Sequence, residues 1–395
     1  MRASVACMSC PSYQQEVVKK AVNEALEAIG GMKKFVKPGD NVLLKVNMLQ
    51  SCSPKDAITT HPEIVRAVAL EVIAVGGKPV IGDSPGNGYA RIEHALETCG
   101  FKAIAEELGI ETVNFEKAGV KEVLNDSPGA IVKSFFISQA VLDADVIISL
   151  PKLKTHNFTR YTGALKNMFG SITGFNKGKF HYLAPKPVDF ASSLVDLFSK
   201  VKPHLSVMDA VIGMEGHGPT GGKPRAIGLV LASSDAVALD ALGGSIIGYP
   251  PEKVDTTRIA GQRGLGVSNL AEIEILGETL EKVRISDFHL VTSAADILER
   301  VPDGLIKVLG PLALRLIQIK PVLGNPELCT GCAICQKHCP QKAIEMIKGK
   351  PHFDYSQCIY CYCCHELCPN RALSVKQSYL ARKWMIGHQG APSNT

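Results

Sequence analysis

Eight cysteines near the C-terminal end constrain this chain more than any other feature. They read Cys329-x2-Cys332-x2-Cys335-x3-Cys339-Pro340 and Cys358-x2-Cys361-x2-Cys364-x3-Cys368-Pro369. Each run has the C-x2-C-x2-C-x3-C-P spacing by which thiolates hold a [4Fe–4S] cluster. Three cysteines on one tight loop can wrap a single cubane. The fourth, at the start of the next turn, faces away and ligates the neighbouring cluster. The expected sets are Cys329, Cys332, Cys335 and Cys368 for one cluster, and Cys358, Cys361, Cys364 and Cys339 for the second. Zinc sites or structural disulfides are the alternatives. Two complete runs, each closing on Cys-Pro, argue against both. Cys363 is a ninth cysteine inside the second run, and the regular spacing leaves it as a packed, unligated thiol.

The paired runs resemble a bacterial-type ferredoxin with two [4Fe–4S] clusters. They also form an internal repeat: Pro340-Gln-Lys-Ala343-Ile344 follows the first run and Pro369-Asn-Arg-Ala372-Leu373 the second. Each half is expected to be a short hairpin, a cluster loop and a turn of helix. Because each half lends one ligand to the other, neither should fold alone. So small a module buries little core, and metal binding supplies much of its folding energy. These readings place a small α+β ferredoxin domain at residues 325–376, an amphipathic connector at 301–324 and a tail at 377–395. The apolar stretch Leu305 to Leu323 carries Lys307, Pro311, Arg315 and Lys320, which suits a connector packed on a neighbour better than a membrane span.

The remaining residues, 1–300, can bury a large core. A charged fraction of 21% against 46% hydrophobic residues is ordinary for a soluble globular chain. The formal charge of +5 is misleading as a clue to partners. Eight thiolates add about −8 and two oxidised cluster cores about +4, which leaves the loaded protein near +1. No long Lys/Arg run or RNA-binding motif supports nucleic-acid binding. Residues 1–10 lack a basic stretch followed by an apolar one, and no apolar window is long enough to cross a bilayer. With thirteen cysteines, this predicts a reducing cytoplasm, and an anaerobic source.

Apolar strands alternate with amphipathic helices through this region. Strands are expected over Ser4–Met8, Asn41–Val46, Pro79–Gly82, Ile110–Phe115, Val132–Ile137, Val146–Leu150, Leu205–Asp209 and Ile227–Ala232. Helices are expected over Gln15–Ile29, Pro62–Val75, Tyr89–Leu108 with a break at Gly100, Val188–Lys202, Ala236–Ile247 and Glu252–Arg263. The alternation predicts an α/β domain with a mainly parallel sheet flanked by helices. In such sheets ligands bind beyond the carboxyl ends of strands. Unusual loops fall there: Lys45-Val-Asn47, Gly82-Asp83-Ser-Pro-Gly86, Pro151 to His156, and Asp209 with Glu215-Gly-His217-Gly.

The segment after Leu150 is the richest. Lys152, Lys154, His156, Arg160 and Lys166 lie within fifteen residues, and Thr162 to Asn167 reads as a loop entering a helix. A helix N-terminus with ammonium groups beside it suits a carboxylate or phosphate. Lys152, Lys154, Lys166 and Asn167 are therefore the expected anion-binding residues. His156 and Glu215 are the candidate proton donors. His156 with His217 is a further candidate zinc or nickel pair. Asp83, before Ser-Pro-Gly, reads as a turn former, and Cys7-Met-Ser-Cys10 as two buried thiols. Neither GxGxxG after a strand nor GxxxxGK[ST] occurs, so nicotinamide and ATP have no direct support; flavin, which has no short signature, stays open.

Lys152-Leu-Lys154-Thr-His156 with Thr162-Gly-Ala-Leu-Lys166-Asn167-Met-Phe-Gly170 resembles the central motif of the domain of unknown function number 362. Gly82-Asp-Ser-Pro-Gly86, Asp209 with Glu215-Gly-His-Gly-Pro219, and Ser234-Asp-Ala-Val-Ala-Leu-Asp240 fit the same family over about residues 1–290. The resemblance implies an α/β domain fused to a two-cluster ferredoxin, with a distant likeness in layout to lactate-racemase-like proteins from which no nickel cofactor is inferred. Residues and resemblance together predict an iron–sulfur oxidoreductase. Its two [4Fe–4S] clusters would pass electrons from a soluble carrier or redox partner protein to an anionic small molecule or cofactor. A non-catalytic electron-transfer or docking subunit is the alternative, and a homodimer is compatible with either.

Overall fold

The computed structural model describes residues 2–86, 91–174, 176–291 and 319–378. Its strands are β1 (Ala3–Ser9), β2 (Asn41–Val46), β3 (Lys78–Asp83), β4 (Glu111–Asn114), β5 (Val120–Leu124), β6 (Ser134–Ser138), β7 (Val146–Leu150), β8 (Lys152–His156), β9 (Arg160–Thr162), β10 (Leu205–Glu215), β11 (Lys223–Ser233) and β12 (Ile273–Gly277). Four more follow in the C-terminal module: β13 (Ile319–Leu323), β14 (Ile344–Ile347), β15 (Lys350–Phe353) and β16 (Leu373–Gln377).

One large sheet runs in the order β12-β1-β11-β10-β7-β2-β3-β4, and β8 and β9 branch from β10. The neighbours of β7, β2 and β3 are parallel. β2 and β7 are near-continuous apolar runs because helices cover both faces of the sheet. Alternation sorts their side chains: Leu43 and Ile147 join the core under helices Pro187–Lys200 and Ala236–Ile246, while Val42, Leu44 and Ile148 join the core under Gln15–Ala28 and Pro62–Ala74. The chain is thus an α/β protein with a mostly parallel mixed sheet, and the small antiparallel pairs β13–β16 and β14–β15 belong to a ferredoxin-like region.

Two expectations need correction. The first concerns Leu205–Asp209 and Ile227–Ala232, which continue into a long antiparallel hairpin, β10–β11, with an irregularity between Ala210 and Ile212. The glycines there read as a loop, yet Gly213 lies within β10, where a Cβ would press on Ile227 and the Leu153 carbonyl. The second concerns the segment after Leu150. It is a buried strand pair, β8 and β9, rather than a loop. Its polar alternation hides the strand, because Lys152, Lys154 and His156 are buried where polar residues are rarely found.

The expected connector lies outside the described residues except for its last part, which is β13. The expected tail also lies outside them, apart from its first two residues. Among the described residues no helix is long and apolar enough to cross a membrane.

Asp83 is more than a turn residue. It ends β3 fully buried, 2.6 Å from Lys45 Nζ, and accepts the amides of Met48 and Ser84 at 2.7 Å each. Gly170 lies against this pair, and a Cβ there would overlap both partners. A buried pair gives modest net stability, but losing one partner strands a charge at about 3–5 kcal/mol. Asp83→Ala should lower the free energy of unfolding by that order, read from anaerobic chemical denaturation followed by circular dichroism.

Candidate functional site

The carboxyl ends of β2 and β3 open on a cavity of about 80 Å³, room for several waters or a small organic anion. Asn47 comes from the end of β2 and Asp83 and Ser84 from the end of β3. β8 supplies Lys154, the turn Ala164–Asn167 supplies Lys166 and Asn167, and the helix Asn176–Leu183 supplies Lys177 and His181. The last wall belongs to the cysteine-rich module: His338, Cys363, Glu366 and Leu367.

The lysines differ in how they are held. Lys154 Nζ donates to Asn47 Oδ1 at 2.8 Å and the Ile58 carbonyl at 2.5 Å. Lys177 Nζ donates to Ser84 O, Ser84 Oγ and Pro85 O at 2.7–2.8 Å. These oxygens are neutral, so burial pushes each ammonium down, to about 7 in both cases; Lys166 adds to the effect on Lys154. Lys166 has no protein hydrogen bond among the described residues. Its Nζ lies 5.9 Å from the Phe169 ring centre, and burial lowers its pKa as well.

His156 Nδ1 accepts the amides of Phe158 and Thr159 at 3.1 and 3.3 Å. The ring proton is therefore on Nε2. Burial and the nearby ammonium groups hold the imidazole neutral, well below its usual pKa. Its Nε2 lies 3.3 Å from Glu366 Oε1 but out of line, so both atoms lack a hydrogen-bond partner. Burial pushes the Glu366 carboxyl up to about 7, against the pull of Lys166 and Lys154. Thr162 Oγ1 and Asn167 Oδ1, also on this cavity, are buried without partners. Buried polar atoms are nearly always satisfied, so this concentration sets the cavity apart from the packed core around it.

The expected site divides. Lys154, Lys166 and Asn167 line the cavity, and His156 stands behind it against Glu366. Asn167 also braces the wall, with Nδ2 donating to Lys45 O and Ser149 Oγ. Lys152 is elsewhere, 2.8 Å from Asp209 Oδ2 and 2.6 Å from Tyr13 Oη. Glu215 is also elsewhere, its carboxylate accepting from His289 N and facing His289 Nδ1 at 2.9 Å. His217 pairs with Asn157, apart from His156. Sequence reasoning missed Lys177, His181 and Glu366. Glu366 reads as filler between Cys364 and Cys368, and the helix of Lys177 and His181 has no apolar periodicity to mark it.

The helix N-terminus expected to hold an external anion is occupied by a side-chain carboxyl, which burial pushes up to about 7. Asp240 accepts the amides of Ala164 and Leu165 at 2.6 and 3.0 Å. Gly163 makes room, since a Cβ would overlap that carboxylate.

The cysteines surround two smaller cavities. Cys339, Cys358, Cys361 and Cys364 line one, and Cys329, Cys332, Cys335 and Cys368 the other. Each set takes three thiols from one run and one from the other, the donor set a cubane requires.

Residues 42–244 match the domain of unknown function DUF362, and residues 321–369 match the 4Fe-4S dicluster domain. A thylakoid-associated protein of Synechocystis sp. is 38% identical over 272 residues, 69% of this chain and 82% of that protein. Among solved structures, the lactate racemase apoprotein of Thermoanaerobacterium thermosaccharolyticum is similar over 61% of this chain and 58% of its own, with a TM-score of 0.38 and 13% identity. A protein from Thermotoga maritima gives a TM-score of 0.37 at 14% identity, over 65% of this chain and 60% of its own. The chain therefore spans under two thirds of each of those two structures.

Asp240 fixes the turn that carries Lys166. Asp240→Ala should cost about 1–2 kcal/mol, the usual loss for a helix cap. It should also loosen Lys166, so isothermal titration with small carboxylates is expected to show weaker binding together with the drop in thermal midpoint.

Proposed function

The chain belongs to the DUF362 family and carries a 4Fe-4S dicluster domain; on that premise we propose that it is an iron–sulfur oxidoreductase acting on a small anion held in the cation-lined cavity. We divide the chain at residues 1–300 for the anion-binding domain, 301–324 for a connector, 325–376 for the cluster domain and 377–395 for a tail. Two [4Fe–4S] clusters are assigned, one to Cys329, Cys332, Cys335 and Cys368, the other to Cys339, Cys358, Cys361 and Cys364. Bound there, they would supply single electrons, received from a soluble carrier or redox partner protein. Lys154, Lys166 and Lys177 hold the anion's charge. Glu366 holds a proton that reduction of an organic group consumes, and neutral His156 stands behind that carboxyl and positions it.

One observation carries this reading: the second cysteine run itself puts Cys363 and Glu366 into the wall of the cavity that receives the lysines. Electron delivery over that wall is intramolecular. The name of the Synechocystis relative favours a second reading, a subunit that docks a redox assembly at a membrane surface without chemistry of its own. The unpaired polar atoms in the cavity argue for the enzyme.

Anaerobically prepared protein should contain iron and sulfide near eight each per chain. Cys364→Ser should lose about half of that iron or convert one cluster's electron paramagnetic resonance signal, whereas Cys363→Ser should keep both. Dithionite-reduced protein mixed with a panel of small carboxylates and inorganic phosphate should reoxidise with its acceptor. Lys166→Ala should slow that step about 10²-fold, roughly 2.7 kcal/mol. Unchanged rates in Lys154→Ala, Lys166→Ala and Lys177→Ala would remove the anion site.

The pH dependence has a defined sign. Lys154 and Lys177 lose their protons near 7 in the fold and near 10.5 in the unfolded chain. Native protein binds fewer protons between these values, so these groups make stability rise with pH across that window. Anion affinity should move the opposite way and fall as pH climbs from about 6.5 to 8.5. Calorimetry near pH 7.5 in buffers of different ionisation heat should show net proton uptake on binding.

A further inference from the structure

The ninth cysteine is not accounted for by the two clusters. One ring nitrogen of His181 and the sulfurs of Cys361 and Cys363 lie within 4.8 Å of one another, all three side chains buried. They come from distant parts of the chain. His181 is on the helix Asn176–Leu183, and the thiols are on the loop of the second run. Tyr362 between the thiols has φ +62°, a left-handed conformation a bulky residue adopts only when its surroundings hold it there. That turn brings the two sulfurs to one side.

We propose that His181, Cys361 and Cys363 bind one thiolate-preferring divalent ion of the zinc, nickel or cobalt class, joined to the adjacent cluster through the Cys361 thiolate. The inference rests on the assignment of Cys361 as a cluster ligand.

Three features carry it. The first is the unsatisfied imidazole. The His181 ring is clamped by stacking on Phe190 at 4.2 Å and by Phe158 at 5.4 Å, and its Nδ1 is buried with no hydrogen-bond partner. An imidazole packed among phenyl rings without a polar partner loses hydration and receives nothing for it. A metal bond would satisfy one ring nitrogen and leave the other as N–H.

The second is the chemistry of the donors. Thiolate with imidazole selects borderline ions over magnesium or calcium. Bonds of about 2.3 Å to sulfur and 2.1 Å to nitrogen, at tetrahedral angles, place donors about 3.5–3.8 Å apart. The three donor atoms, all within 4.8 Å of one another, already stand near that spacing.

The third is what remains open. His181 and Cys363 both stand in the wall of the anion cavity. Three protein donors leave a fourth position for a ligand supplied from that cavity. An anion held by the lysines would complete the coordination, as in open metal sites that bind substrate.

The test uses full-length, cluster-loaded protein prepared without oxygen and titrated with Co²⁺ and with Zn²⁺. Wild type should take up one equivalent beyond the cluster iron, and cobalt should give a thiolate-to-metal charge-transfer band. His181→Ala and the near-isosteric Cys363→Ser should each lose that equivalent and that band while retaining iron, sulfide and the cluster signals. No uptake by wild type, or uptake that both variants retain, would overturn the proposal. Loss of iron in Cys363→Ser would instead show Cys363 to be a cluster ligand, overturning both this site and the ligand sets. Adding a small carboxylate should perturb the cobalt spectrum of wild type; an unchanged spectrum removes the open position.

Discussion

Burying ammonium groups is the constraint around which this molecule is arranged. Taking one from water costs several kcal/mol unless a counter-charge and hydrogen bonds are supplied. The fold buries Lys45, Lys152, Lys154 and Lys177 almost completely. It neutralises the first two: Lys45 meets Asp83, and Lys152 meets Asp209. It gives Lys154 and Lys177 only neutral oxygens, and Lys166 none that the described residues provide. The paired lysines hold the sheet together at its carboxyl edge. The others all face one cavity, where Glu366 lies near Lys154 and Lys166, and Asp83 and Glu116 lie near Lys177 without bonding it. A fold that pairs its buried cations two residues away along β8 leaves these others without a bonded counter-charge, which is the basis of the proposed anion site.

The cysteine-rich module completes this site rather than hanging beside it. Gly221 lies against His365 so closely that a Cβ would overlap the ring, and Gly86 packs in the same way under Leu367. Arg371 reaches Asp56 across the junction. These contacts seat the helix Cys363–Glu366 over the mouth of the cavity, so its residues become wall. Under the proposed cluster assignment, metal binding and cavity closure are linked, because the fold of the module also delivers Glu366 and Cys363 to their positions.

The fold was largely legible because two of its signals are strong. Apolar runs such as Val146–Leu150 alternate with amphipathic helices, and both periods survive in the sequence. The expected cysteine sets coincide with the linings of the two small cavities, since spacing and turn geometry leave few ways to wrap a cubane. The misreadings share one cause. A polar or glycine-rich sequence reads as loop, and tertiary contacts make it strand. Lys152 to His156 looked like a basic loop and is a buried strand; Gly213 looked like a loop glycine and is a strand position chosen for a close neighbour. Glu366 and Lys177 carried no local signal, because they acquire their meaning from segments about two hundred residues away in the chain.

The comparison of Lys152 with Lys154 separates scaffold from site. Both point the same way from β8, both are buried, and both lose charge preference to desolvation. Lys152 sits in a closed network: Asp209, Tyr13 and the amide of His61 satisfy one another, and Tyr13 stacks on His61 at 3.6 Å. These bonds tie Tyr13 to β8 and β10, so this network holds the N-terminal segment to the sheet. Lys154 borders space, and its neighbours Thr162 and Asn167 each keep an oxygen unpaired. Burial alone therefore does not separate Lys154 from Lys152 in this fold. The combination of burial, neutral partners and adjoining unsatisfied acceptors does, and it picks out the same cavity that the helix Cys363–Glu366 covers.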